Sequence, residues 1–160
     1  MSPQQIRWPD KNHPDKAAIH VSNALDMAAS PEEVWACLIR ATDWPNWYPN
    51  AANLKVLDGG SDDLAPGCRF RWTTFGVTIT CTVDEFEPYE RLAWSAESFG
   101  MSVYHAWLIT PQDDGCHVLT EETQNGVLAR IAGLIFPGRM HKFHQIWLEE
   151  LEKVAKELSG

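Results

Sequence analysis

Three polar residues fall on strand faces that are otherwise apolar: Asn23, His105 and Glu122. Hairpin counting about Asp113-Asp114-Gly115 sets His105 opposite Glu122, Trp107 opposite Thr120 and Ile109 opposite Val118. A histidine facing a carboxylate can act as an acid–base couple, because the carboxylate raises the imidazole pKa while burial lowers it. Asn23 would hold a carbonyl oxygen beside the pair. The plainer reading is a hydrogen bond between core residues, since an unpaired buried polar group costs about 1–3 kcal/mol. His141 and His144 stand three apart, near metal-ligand spacing, but the neighbouring sequence supplies no third and fourth ligand, so no metal is expected. A GxSxG elbow, a glycine-rich phosphate loop and a Cys–His pair at recognisable spacing are all absent, so no cofactor is expected either.

Around these groups lies an aromatic surface. The chain has eight tryptophans in 160 residues, enough either to fill a bulky core or to line a pocket. A turn at Phe75-Gly76 pairs Thr74 with Val77, Trp72 with Ile79 and Phe70 with Cys81. A turn at Phe99-Gly100 pairs Ala96 with Val103, Trp94 with His105 and Leu92 with Trp107. The inner wall then reads Phe70, Trp72, Ile79, Cys81, Val83, Trp94, His105, Trp107, Thr120 and Glu122, with Asn23 from the first strand. A slip of one residue would send each side chain to the other face. Met140, Phe143, His144 and Trp147, on the C-terminal helix, are the expected contacts from the opposite side.

The elements that must position these residues follow from periodicity. Ile19, Val21, Asn23, Leu25 and Met27 alternate with polar or small neighbours, which predicts a strand with one buried face. Ser30 and Glu33 form a capping box with Pro31 at the first helical position, predicting a helix through Ile39. Asp43-Trp44-Pro45-Asn46-Trp47-Tyr48-Pro49 allows only a short element. Trp44, Trp47 and Tyr48 form either a lid over a pocket mouth or, as the preferred reading, a plug that seals the core. Strands are then predicted at Leu54–Asp58, Arg69–Thr74, Val77–Glu87, Arg91–Ser98, Met101–Thr110 and Cys116–Thr123, joined by short turns as an antiparallel meander. Met140, Phe143, Trp147, Leu151, Val154 and Leu158 mark one stripe of a long helix, divided or kinked at Pro137-Gly138. Leu128, Ile131, Leu134, Ile135 and Phe136 precede that break as an apolar gate, or a homodimer contact if exposed. The order excludes a parallel βαβ fold and predicts an α+β domain at 17–160, with one sheet face against the helix and the other against water. Residues 1–16, punctuated by Pro3, Pro9 and Pro14, read as an arm pinned by Ile6 and Trp8.

A formal charge of -9 disfavours nucleic acid and anionic membranes as partners. The longest apolar run, Ile131 to Phe136, is far below the ~20 residues of a membrane span. With no recognisable signal peptide and four scattered cysteines, a reduced, cytoplasmic chain is expected.

The chain resembles the START-like, helix-grip superfamily (SRPBCC) and its polyketide cyclase/dehydrase-like branch. The resemblance rests on Ala29-Ser30-Pro31-Glu32-Glu33-Val34-Trp35, the Asp43 to Pro49 segment, Pro66-Gly67-Cys68-Arg69-Phe70, Val83-Asp84-Glu85-Phe86-Glu87-Pro88 with Arg91-Leu92-Ala93-Trp94, and the Gly115 turn before the long helix. It spans about residues 17–158. It implies a seven-stranded sheet gripping the C-terminal helix around a cavity for hydrophobic ligands, and no particular catalytic residue. Three readings are ranked in order. The first is a binder or carrier of a small apolar molecule such as a lipid or polyketide-like compound. The second is a cofactor-independent cyclase or dehydratase using His105 with Glu122. The third is an interaction module whose cavity is filled by tryptophan.

Overall fold

The computed structural model describes residues 4–58, 60–98 and 100–159. Its strands are β1 (Ile19–Met27), β2 (Ala52–Val56), β3 (Arg69–Thr74), β4 (Val77–Glu87), β5 (Arg91–Ser98), β6 (Met101–Gln112) and β7 (Gly115–Asn125). The helices are α1 (Pro31–Ile39), α2 (Trp44–Trp47), α3 (Val127–Ile135) and α4 (Arg139–Glu157). All seven strands join one antiparallel sheet in the order β1-β7-β6-β5-β4-β3-β2. The meander from β2 to β7 therefore ends beside β1, and α4 packs across the concave face between them. This is the helix-grip architecture that the resemblance implies.

Short-range chemistry sets most of it. Ser30 Oγ accepts from Glu33 N–H at 3.2 Å and Glu33 Oε2 accepts from Ser30 N–H at 2.9 Å, closing the capping box that starts α1. Phe75 and Gly76 both take positive φ (51° and 75°), the two-residue turn that matches strand twist. That turn sets Trp72 opposite Ile79 and Phe70 opposite Cys81, as counted from sequence. Trp94 lies opposite His105 and His105 opposite Glu122, again in the expected registers. Phe99, half of the second expected turn, lies outside the described residues, as does Gly59 in the loop after β2. A bulge between Val83 and Glu85 breaks the β4–β5 ladder and increases the local twist and bend of the sheet.

Gly115 begins β7 at φ 146°, and a Cβ there would sit 1.9 Å from the Met27 carbonyl oxygen. Gly115→Ala is expected to cost about 1–3 kcal/mol from the dihedral alone, with the backbone clash adding to it. Urea unfolding measures this, and an unchanged midpoint would mean that β1 and β7 do not approach this closely.

Several expectations are corrected. The first meander strand is Ala52–Val56 rather than Leu54–Asp58, because Asn53 (φ 52°) interrupts its pairing and the β3 partner is reached earlier. Strands β6 and β7 each run two residues further, to Gln112 and Asn125, since the ladder continues past the last apolar residue. Helix α4 buries His144, Trp147, Leu148, Leu151 and Ala155, whereas Leu158 caps its end in solvent. The outer face of the sheet is not all open to water. Ile6 and Trp8 of the arm cover Ala93, Tyr104 and Ala106 there. Gln5 also contributes a carbonyl, 2.9 Å from the Arg91 guanidinium.

Candidate functional site

Between α4 and the sheet lies a cavity of about 880 Å3. Its walls are mainly apolar: Trp72, Ile79, Trp94, Val103 and Met101 from the strands, Tyr48 after α2, and Met140 and Trp147 from α4. Its polar groups include His105, Glu122, Gln124 and His144, with His20, His141, Arg130 and Arg139 also in the lining. Tryptophan does not fill this space, so the expectation of a tryptophan-filled cavity is not met.

Alternation along a strand explains why these polar groups meet. His105 and Glu122 occupy paired positions on β6 and β7, and Gln124 follows two residues later on the same face. His144 reaches them from α4. Glu122 Oε1 lies 3.0 Å from His105 Nδ1 and 3.2 Å from His144 Nε2. The other oxygen, Oε2, accepts from Gln124 Nε2 at 2.6 Å. The imidazoles stack at 4.7 Å between centroids, and all three groups are buried.

One hydroxyl proton bears on the tautomer of His105. Thr120 Oγ1 lies 2.7 Å from His105 Nε2 and 3.1 Å from the Ala106 carbonyl oxygen. If Thr120 donates to His105, the ring carries its proton on Nδ1 and donates to Glu122. If Thr120 donates to Ala106, His105 donates through Nε2 and its Nδ1 lone pair faces Glu122. Burial drives the His105 pKa down from 6.5 to about 4, against the opposing pull of Glu122. Burial would raise the Glu122 pKa, but hydrogen bonds from His105 and His144 outweigh it and hold the carboxyl below its usual range.

The structure sorts the sequence candidates. Trp72, Ile79, Trp94, His105, Glu122, Met140, His144 and Trp147 line the cavity. Phe70, Cys81, Val83, Trp107 and Thr120 face inward but lie behind that lining, where they pack the core or, for Thr120, brace His105. Phe143 contacts the Phe75 ring edge-on at 5.6 Å, beside the cavity rather than in its lining. Asn23 is not an oxygen-holding group. Its amide donates to the His141 carbonyl at 3.0 Å and to Gln145 Oε1 at 3.1 Å, so both protons tie β1 to α4. The side chain of His141 is not part of the polar cluster; His144 meets His105 and Glu122 instead.

The segment after α1 is a plug. Trp44 is buried among Phe70, Trp72, Trp94 and Trp147, with its indole N–H on the Leu38 carbonyl at 3.1 Å. Tyr48 stacks on Trp147 at 4.4 Å. On the opposite side, Leu134 and Phe136 border the cavity while largely exposed, so that stretch forms a rim. Residues missed in the sequence reading include Phe75, Val103, Gln124 and Arg139. Gln124 was legible from two-residue alternation had β7 been extended. Arg139 carried no local signal; its guanidinium stacks on Phe75 and Phe136 at 4.9 and 4.2 Å from the ring centroids.

Among the described residues, no helix is long and apolar enough to cross a membrane. The four cysteines are free, and burial pushes the Cys81 thiol up to about 12, which keeps it protonated and unreactive.

A comparison with curated proteins gave no match. Among solved structures, the chain is similar to hypothetical protein jhp0584 from Helicobacter pylori at 32% identity, covering 97% of this chain and 98% of that one, with a TM-score of 0.89. It is also similar to the Zhui aromatase/cyclase from Streptomyces sp. R1128 at 15% identity, covering 89% and 96%, with a TM-score of 0.72. A norcoclaurine synthase from Thalictrum flavum, in complex with a transition-state analogue, gives 12% identity, the same coverages and a TM-score of 0.67. These last two likenesses show the fold alone. Residues 18–156 match the family described as "Polyketide cyclase / dehydrase and lipid transport". With its helix-grip sheet and the cavity beneath α4, the chain belongs to this polyketide cyclase/dehydrase and lipid transport family.

Proposed function

We propose that the protein binds a small, largely apolar molecule in the cavity between the sheet and α4, with a polar group of that molecule against the His105–Glu122–His144 cluster. The observation that carries this reading is the cavity itself. About 880 Å3 with apolar walls and one group of convergent polar atoms lies within the range of small-molecule sites, about 300–1,000 Å3. Membership in a family that includes lipid transport supports a lipid or polyketide-like ligand.

Native mass spectrometry of freshly purified protein, followed by denaturing extraction, should reveal a retained apolar molecule. Trp72, Trp94 and Trp147 line the cavity, so titration with lipids and polycyclic aromatics should also quench tryptophan fluorescence. Val103 is buried in the lining, and Val103→Phe should weaken that binding about tenfold or more by occupying ligand space. An empty protein, no quenching, and equal behaviour of Val103→Phe would refute the binding reading.

The buried cluster favours a second reading, a cyclase or dehydratase of a polyketide-like substrate. A ligand atom beside His105 would meet a neutral imidazole whose charge, once protonated, Glu122 would stabilise. Turnover of a poly-β-ketone analogue that is lost in His105→Asn, while binding is retained, would support catalysis. Equal turnover in that variant would exclude His105 as the acid–base group.

A further inference from the structure

We propose that His105 Nδ1, Glu122 Oε1 and His144 Nε2 form a three-ligand site for one divalent transition-metal ion of zinc-like preference, with its remaining coordination position open to the cavity. Two imidazoles and one carboxylate are a ligand set used by catalytic zinc and by non-haem iron centres, which keep a position free.

Three features of the cluster carry the inference. First, ligand atoms at tetrahedral angles around zinc, each about 2.0–2.2 Å from it, stand about 3.3–3.6 Å apart, so a cluster held by hydrogen bonds need open by only a few tenths of an ångström to take the ion. The observed carboxylate–imidazole separations are 3.0 and 3.2 Å, and the three ligand atoms lie within 4.8 Å of one another. Second, the surrounding groups resemble those that orient metal ligands. Gln124 holds Glu122 Oε2, leaving Oε1 toward both rings. Thr120 Oγ1 can accept a hydrogen bond from His105 Nε2–H while donating its own to the Ala106 carbonyl, which leaves the Nδ1 lone pair free to bind an ion. Third, His105, Glu122 and His144 are all buried, so their ligand atoms are withheld from bulk water.

The cluster also coheres without an ion, with both imidazoles donating to Glu122 Oε1. Ion uptake then requires each ring to move its proton to its other nitrogen. For His105 the Thr120–Ala106 relay accommodates that change. A divalent ion with one carboxylate leaves a net positive charge at the end of an apolar cavity. The ligand class that follows is a hydrophobic molecule carrying an anionic oxygen, such as a carboxylate, an enolate or a phenolate. Beside the cluster and without the ion, Glu122 would repel such a group, whereas the cavity's own cations, Arg130 and Arg139, belong to its α3–α4 side.

The test uses the full chain, dialysed against a chelator and then titrated. Zinc uptake by equilibrium dialysis should reach one ion per chain. Cobalt(II) should give the visible absorption of a low-symmetry nitrogen–oxygen site. Glu122→Gln and His144→Gln should each lower affinity by more than the about 10–100-fold expected for an outer partner, and Thr120→Val by about that amount. His117→Gln, which alters an imidazole outside the cavity lining, should change nothing. Circular dichroism checks folding, and if His144→Gln does not fold, Glu122→Gln and Thr120→Val decide the matter. No uptake by the unaltered chain, or uptake undiminished in Glu122→Gln, would overturn the proposal; the latter would assign the ion to surface histidines.

Discussion

Trp147→Ala is expected to lower the unfolding free energy by about 3–5 kcal/mol, the cost of deleting a large aromatic side chain from a packed core. Trp147 is buried at the centre of the aromatic assembly. It stacks on Tyr48 at 4.4 Å and meets Trp107, Trp44, His105 and Trp72 at 5.0, 5.1, 5.4 and 5.6 Å between centroids. Its indole N–H has no hydrogen-bond partner, so the loss comes from packing. At a domain of this size, the effect corresponds to a fall of about 10 °C in Tm. Trp147→Phe should recover part of it. Trp147 also lines the cavity, so the alanine variant should accept bulkier ligands wherever it remains folded. Chemical denaturation measures the change. A loss below about 1 kcal/mol would mean that the neighbouring rings collapse into the space or that α4 does not pin them.

The second large effect is acid sensitivity between pH 6.5 and 4, measured with a chelator present so that no ion contributes. His105 is held neutral, with its pKa lowered by burial from 6.5 to about 4. The groups facing it are Glu122 from β7, His144 from α4 and the Thr120 hydroxyl. In this window the unfolded chain takes up a proton at His105 that the folded chain does not, so stability falls as pH falls. The full contribution is present above about 6.5 and stops decreasing below about 4. The loss is on the order of 3 kcal/mol. Below the ordinary carboxylate range Glu122 adds to it with the same sign, because its folded pKa is also depressed. His105→Asn should flatten the slope between pH 6.5 and 4. Equal slopes in both proteins would show that His105 gains its proton while still folded, as the cationic partner of Glu122.

Much of this architecture was legible in the sequence because its determinants are local. Two-residue turns and strict alternation set the pairing of Trp72 with Ile79, Trp94 with His105 and His105 with Glu122. The capping box of Ser30 and Glu33 and the break at Pro137-Gly138 located the starts of α1 and α4 for the same reason. The resemblance supplied the grip of the sheet on α4, which counting residues could not.

What local pattern could not determine was the rotation and lateral placement of α4 on the sheet. A helical stripe names candidate faces, but docking decides which side chain reaches which strand. His144 therefore joined His105 and Glu122, whereas Asn23, legible as inward-facing, spent both amide protons on the α4 segment. The sequence by itself determined a curved antiparallel sheet with a histidine–glutamate pair on its inner face. Only tertiary packing brought a second histidine to that pair and left a cavity beside it, because burial and coordination depend on distances between elements that the chain keeps far apart.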